Sequence, residues 1–403
     1  MKLLLLLLAL PLFCFGQNVN IPDANFKAYL VGNTAINTNG DNEIQVSEAS
    51  VFNSYIVVQT LNITDLTGIE AFVSLTVLYC NNNQLTSLDV STCTALTYLH
   101  CYNNQLTSLD VSSCTALTYL DCEGNQLTSL DVTSCTALTF LDCYNNQLTS
   151  LDVSSCTALT YLDCEGNQLT SLDASGCTAL TDLGCEGNQL TSLDVSTCTA
   201  LTYLHCYNNQ LTSLDVSSCT AIGALYCYDN QLTSLDVSTC TALASLDCHN
   251  NQLTSLDVKN GNNINMPVVF DPLFGDIPAF LAYNNPNLSC IEVDNVAWSQ
   301  ENWANNIDST AYFSLNCSGA GISDINESNT LMLYPNPTNG EFIIDITKGL
   351  IGEQYYITDF SGKIIKIGKF ENSKEKVDMD DFSKGVFIIQ IKNRNIQERI
   401  IKL

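Results

Sequence analysis

The residues best equipped for chemistry recur at an interval of 21. Tyr98, His100 and Tyr102 are followed by Tyr119, Asp121 and Glu123, then by Phe140, Asp142 and Tyr144, and by Tyr161, Asp163 and Glu165. Asp182, Glu186, Tyr203, His205, Tyr207, Tyr226 and Tyr228 continue the series. In extended chain alternate residues share a face, so each triplet points one way. Rings and carboxylates displayed together suit recognition: apolar or sugar surfaces for the rings, positive charge or a cation for the acids. The plainer alternative is that strands favour aromatics and a solvated face favours charge. Acid–base catalysis is poorly served. The three histidines, His100, His205 and His249, fall in different copies, and no nucleophile elbow, HExxH or P-loop occurs. A binding protein is expected, not an enzyme.

Such a face must be assembled by stacking. A fixed period in the twenties marks a solenoid in which no unit buries its apolar side alone. The unit LTYLHCYNNQLTSLDVSSCTA, Leu96 to Ala116, recurs almost unchanged from about Leu75 to Asp257. Its spacing Leu96-x-x-Leu99-x-Cys101-x-x-Asn104-x-Leu106 resembles the leucine-rich repeat, with cysteine in place of the third apolar residue. The resemblance covers residues 75–260. It implies a mainly β chain, a solenoid of 21-residue repeats with a parallel β-sheet on its concave face. Leu99 and Cys101 should point inward, with Tyr98, His100 and Tyr102 pointing out.

Three columns step through the copies. Asn83 to Asn251 follow each strand, where a stacked amide can serve buried backbone groups. Asp89 to Asp257 precede Val-Ser or its variants and suit Asx-turns, a better reading than a row of calcium ions. Two cysteine columns, Cys80 to Cys248 and Cys93 to Cys240, account for most of the 20 cysteines. Twenty in an exported chain would ordinarily suggest a disulfide scaffold. Stacked like on like, however, equivalent sulfurs point the same way and cannot readily adopt a disulfide torsion. Both columns are expected to be mostly reduced and buried.

The flanks differ. Residues 1–16, with an apolar run from Leu3 to Phe15, have the length of a signal peptide. Residues 17–74 should form an N-terminal cap, with Phe26 and Leu30 on one face of a short helix and Leu61-Asn-Ile63 as a degenerate first strand. Asn37, Asn39, Asp41, Glu43 and Glu48 resemble an EF-hand calcium loop followed by a helix over 48–55, although Asn37 and Asn42 depart from its pattern. Calcium is the only cofactor suggested. Residues 261–317 hold a decaying repeat, an inserted loop around Pro272, and a last strand at Leu288–Val293. They resemble the C-terminal caps of bacterial leucine-rich repeats, and on that resemblance Cys290 and Cys317 form a disulfide.

A polar linker, 318–330, leads to residues 331–403, whose alternating runs and turns predict a small antiparallel β-sandwich. The Tyr334-Pro335-Asn336-Pro337 opening, the Lys384-Gly385-Val386 strand start and the terminal Lys402-Leu403 resemble the type A sorting domain of the type IX secretion system. That resemblance implies passage through the secretion machinery and a secreted or surface-attached product, with the domain then cleaved off.

Charge narrows the partners. The net charge is −28, and residues 18–330 carry 32 acids against Lys27 and Lys259 alone. So acidic a body repels phosphate backbones, which excludes nucleic acid, and no stretch is long enough to span a membrane. Two functions remain: recognition or adhesion through the concave face toward a protein or glycan, and a structural spacer or surface-layer component without a specific ligand.

Overall fold

The computed structural model describes residues 16–266, 269–271, 275–277, 279–317, 331–334, 336, 338–346, 350–359, 362–392 and 397–402. The expected signal segment up to Phe15 and the linker over 318–330 lie outside these residues, as do Pro272, Pro335 and Pro337. The chain divides into two compact units, Met1–Cys317 and Ser318–Leu403.

The first unit is a parallel stack. Tyr98–His100 pairs with Tyr119–Asp121, and Leu99 lies beside Leu120. The same register carries on through Phe140–Asp142, Tyr161–Asp163, Asp182–Gly184, Tyr203–His205, Ala224–Tyr226 and Ser245–Asp247. With Tyr55–Val57 and Val77–Tyr79 before them and Phe280–Leu281 after, these strands form an eleven-stranded sheet. Each has only two or three paired residues, because Leu and Cys must alternate inward and the chain then turns away.

The interior is filled by repetition. Leu96, Leu99, Cys101, Leu106, Val111 and Cys114 are all buried, as are their equivalents in the following coils. Asn104 closes the turn: its Nδ2 donates to the carbonyls of Cys80, Cys101 and Tyr102, and its Oδ1 accepts from the Leu85 N–H at 3.0 Å. The pattern repeats down to Asn251 and again at Asn285. The residue before each ladder asparagine is left-handed, with φ near 52° at Asn103 and 61° at Gly124. Glycine, asparagine and aspartate tolerate that region best, which explains why the copies read Asn-Asn, Gly-Asn or, at Asp229, Asp-Asn.

Two expectations about the ends are corrected. The first strand is Tyr55–Val57, not Leu61–Ile63, and the helix after the polar loop is only Val46–Ala49 rather than 48–55. The need of Val77–Tyr79 for a partner draws Tyr55 into the sheet, while Ile63 takes the buried position held elsewhere by Leu85 or Leu106. At the other end the sheet closes on Phe280–Leu281. Cys290–Glu292 belongs instead to a second parallel sheet with Ser234–Asp236, Ser255–Asp257 and Tyr312–Ser314. Ala282 and Asn285 stand where Cys248 and Asn251 would in an intact repeat, hidden from periodicity by the inserted loop. Phe26 and Leu30 are buried on helix Ala24–Gly32, and Cys290 and Cys317 are disulfide-bonded.

The second unit packs a three-stranded sheet, Leu331–Tyr334, Glu341–Ile346 and Lys374–Asp378, with a four-stranded one, Gln354–Asp359, Ile364–Lys369, Gly385–Ile391 and Gln397–Lys402. The strands pair antiparallel, with one parallel bridge between Thr338 and Lys402, and Phe342, Ile344, Tyr355, Ile357, Phe370 and Ile389 share one core. Lys374–Asp378 was not anticipated, because Lys-Glu-Lys-Val-Asp carries a single apolar residue. Val377 alone fills the core there.

Seventeen cysteines are buried and unpaired. Burial pushes the Cys80 thiol up to about 12 and those of Cys135 and Cys240 to about 11. The Cys135 thiol is directed at the Val111 carbonyl, 3.6 Å away, a contact its equivalents reproduce. Thiolate is therefore scarce and access closed. Folded protein should resist iodoacetamide at about pH 8, whereas denatured, unreduced protein should label at all seventeen positions, read by mass spectrometry. Labelling of only one or two would contradict the unpaired ladders.

Candidate functional site

The outward positions of the large sheet form three rows along the stack. In the first, Tyr98, Tyr119, Phe140 and Tyr161 lie ring on ring, with centroids 5.5, 4.1 and 4.4 Å apart. In the second, the His100 ring stacks between Tyr79 at 4.4 Å and Tyr119 at 4.5 Å. In the third, Tyr207, Tyr228, His249 and Tyr283 stack at 4.3, 4.7 and 4.6 Å, while His205 tilts against Tyr226. Parallel register causes this: with the next coil one sheet spacing away, about 4.8 Å, like side chains have no room except face to face. The stacked rings show their edges and hydroxyls more than their faces. Tyr55, Tyr203 and Tyr98 are the most open, at 60%, 52% and 42% exposure, Tyr203 because Asp182 and Ala224 flank it.

Beside the first ring stack, on the same coils and the one after, lies an acidic centre: Asp121 and Glu123, then Asp142, then Asp163 and Glu165, then Glu186. These carboxylates are not the freely solvated charges their spacing suggests, since Asp121 and Glu186 are buried and the others half-buried. Neighbouring rings cover them. Desolvation, then repulsion from neighbouring acids, pushes Asp142 up to about 7. Glu165 rises to about 7 by desolvation and the adjacent Glu186 and Asp163, and Asp163 and Glu123 shift the same way. No lysine or arginine occurs between Lys27 and Lys259 to offset them. Opposed like charges cost about 0.2–1 kcal/mol each, so the centre is held by the fold against its own repulsion. Oxygens of Asp121, Glu123 and Asp142 lie within 4.8 Å of one another, a spacing compatible with a shared cation.

The outer carboxylate ladder behaves oppositely. Asp89, Asp110, Asp131, Asp173, Asp194 and Asp215 each accept from the backbone N–H two residues on, and hydrogen bonds from that residue hold their carboxyls below the usual range. Aspartates at one period thus divide into hydrogen-bonded turn residues and crowded sheet residues.

The N-terminal loop brings Asn37, Asn39, Asp41, Glu43 and Glu48 near one another but spends their oxygens on the protein. Glu48 accepts from the Thr38 hydroxyl and from the N–H groups of Thr38, Asn39 and Gln45. Asp41 accepts from Asn39, Gln45 and the Glu43 N–H, while Asn37 Oδ1 accepts from Gly40 N–H. Glu43 pairs with Lys27 at 2.7 Å. These hydrogen bonds hold the cap's turn together.

Family models resolve what the geometry belongs to. Residues 94–134 and 136–176 match the Leucine Rich repeats (2 copies) family, and residues 332–403 match the Secretion system C-terminal sorting domain. The chain is a leucine-rich repeat protein with a type IX secretion sorting tail. Among solved structures it resembles the functional domain of InlJ from Listeria monocytogenes, which includes a cysteine ladder, at 27% identity and a TM-score of 0.51, covering 96% of this chain and 98% of that one. It also resembles a leucine-rich repeat protein of Leptospira interrogans at 20% identity, with a TM-score of 0.43 and coverage of 61% and 74%. The internalin InlF of Listeria monocytogenes is similar at 20% identity, with a TM-score of 0.39 and coverage of 70% and 93%. No curated protein matches. Among the described residues no helix is long and apolar enough to cross a membrane.

Sequence reasoning found the rings and acids of the repeat face but missed Asp247, Tyr283 and Gly184. Tyr283 lies beyond the inserted loop, and Asp247 pairs with His249 in a coil without a Tyr98 equivalent. The raised carboxyls set a direction for stability. They favour the protonated folded form, so their contribution is full below the unfolded value near 4 and is lost as pH rises through about 7. The repeat unit should therefore melt at higher temperature at about pH 5 than at about pH 8. Asp142→Asn with Glu165→Gln should flatten the difference, as followed by circular dichroism. An unchanged slope in that double variant would place the titrating groups elsewhere.

Proposed function

We propose that this leucine-rich repeat protein is a secreted or surface-displayed recognition protein that engages a protein or glycan on its concave face, with no catalytic step of its own. The observation that supports this most directly is the composition of that face: two ring stacks, the first running alongside a crowded acidic centre on the same strands. A spacer gains nothing from carboxylates that repel one another. A ligand carrying positive charge beside apolar surface would relieve them. Because the stacked rings offer edges and hydroxyls, with open faces at Tyr98 and Tyr203, a polypeptide fits this face better than a sugar needing flat stacking. The three histidines sit in ring stacks or beside carboxylates, which suits packing better than proton transfer.

Delivery falls to the sorting tail. Removing residues 332–403 should leave the protein in the periplasm of a type IX-competent host, detected by fractionation. Normal arrival outside the cell would defeat that assignment. For recognition, the repeat unit should be probed on protein and glycan arrays beside a variant with Tyr98, Tyr119, Phe140 and Tyr161 all changed to Ser. Hits on the parent should fall at least about tenfold in the variant, as expected where clustered aromatics anchor an interface. Equal binding by both would return the spacer reading to the front.

A further inference from the structure

In the middle row of the sheet one side chain is missing. His100, Asp121, Asp142 and Asp163 precede it and His205 and Tyr226 follow, but position 184 is glycine. The gap is one side chain wide. A Cβ placed there would lie 3.2 Å from Asp163 Oδ1 and 3.3 Å from Glu186 Oε2, so two carboxylate oxygens of neighbouring coils face the space above the Gly184 Cα.

Glu186 is the second and independent sign. It is 4% exposed, and its Oε2 is buried without a hydrogen-bond partner. Its other oxygen lies 3.7 Å from His205 Nδ1. A buried carboxylate oxygen left unpaired is costly, and charged groups more so. Apart from His205 the repeats hold no cation to neutralise it, because residues 28–258 contain neither lysine nor arginine. Glu165, half-buried, interacts with Glu186 from the neighbouring coil and adds a third carboxylate beside the gap.

We infer that the notch over Gly184, lined by Asp163, Glu165 and Glu186, is a receptor for a primary ammonium or guanidinium group presented by a basic segment of a polypeptide ligand. An ammonium has three donors to distribute and a guanidinium five, and the carboxylates here supply the acceptors. The phenol of Tyr207, beside Glu186 in the third row, supplies an aromatic wall of the kind that favours cations. A metal ion fits less well here. The three-carboxylate cluster with cation spacing is formed by Asp121, Glu123 and Asp142, in different coils from the notch. The inference rests on the reading of the concave face as a recognition surface and names what its acidic centre selects.

The test uses the full mature protein and fluorescein-labelled hexalysine, with fully acetylated hexalysine as the uncharged control, read by fluorescence anisotropy at fixed ionic strength. Gly184→Ala fills the notch without altering net charge. Glu186→Gln removes the orphaned charge while keeping its shape, and Asp194→Asn removes one charge from the outer ladder as a control. Hexalysine affinity should fall about tenfold or more in Gly184→Ala and in Glu186→Gln and less than about twofold in Asp194→Asn, where only screened surface charge is lost. Equal loss in all three variants, or none in Gly184→Ala, would mean diffuse attraction to the acidic surface and overturn the notch. So would calorimetric binding of calcium that requires Glu186 and excludes hexalysine. Circular dichroism melts establish that each variant is folded. If the notch fails while the Tyr98, Tyr119, Phe140 and Tyr161 variant still loses its array ligands, recognition by the face stands and only this assignment falls.

Discussion

The asparagine ladder is the interaction on which the repeat unit depends. Each coil ends its strand by turning inward-facing carbonyls toward a dry interior, and nothing but an amide at that position reaches them all. One side chain donates to carbonyls of its own coil and the previous one and accepts from a third N–H, so it ties consecutive coils as well as closing a turn. Losing it would leave several buried groups unpaired, at about 1–3 kcal/mol each. Strands of three residues could not carry that burden, since their own ladders are too short. Leucine and cysteine fill the interior by shape, but the asparagines fix the distance between coils.

Once that distance is fixed, the outward face has little freedom. Identical positions must stack, which suits rings and is adverse for carboxylates. Tyr119, Phe140 and Tyr161 lie nearly parallel and shield one another. Asp142 and Glu165, under the same rule, are crowded until their carboxyls titrate near neutrality. Asp110, Asp131 and their lowered equivalents in the outer ladder escape, because a serine or threonine two residues on holds the charge, whereas burial at the ladder's end pushes Asp257 up. The same residue type therefore stabilises the turn on one side of a coil and strains the sheet on the other. A face strained in this manner leaves charge that a partner of opposite sign would offset.

The two units follow different routes to stability. Repeats bury a small, uniform set of side chains many times over, so near-identical copies suffice. The sorting domain is built once, from strands with distinct partners, and sets Tyr355 against Phe370 in a core that no other part of the chain resembles. Its buried Lys402 spends its donors on the carbonyls of Met379, Asp380 and Phe382, which fixes the last strand to a neighbouring turn.

What the sequence alone determined is whatever depends on period. The inward alternation of Leu99 and Cys101, the asparagine and aspartate columns and the unpaired thiols all follow from residue type at fixed spacing, because stacking makes every local choice a repeated one. Tertiary structure decided what depends on breaks in the period or on neighbours from other coils. Tyr55 rather than Leu61 begins the sheet because Val77–Tyr79 needed an edge to pair with, and Phe280 ends it because the inserted loop displaced the repeat without ending the stack. Lys374–Asp378 became a strand through its pairing with Glu341–Ile346, not through its own composition. The burial of Glu186 and the gap at Gly184 belong to the same class: neither is a property of one coil, and both arise only when three coils lie in register.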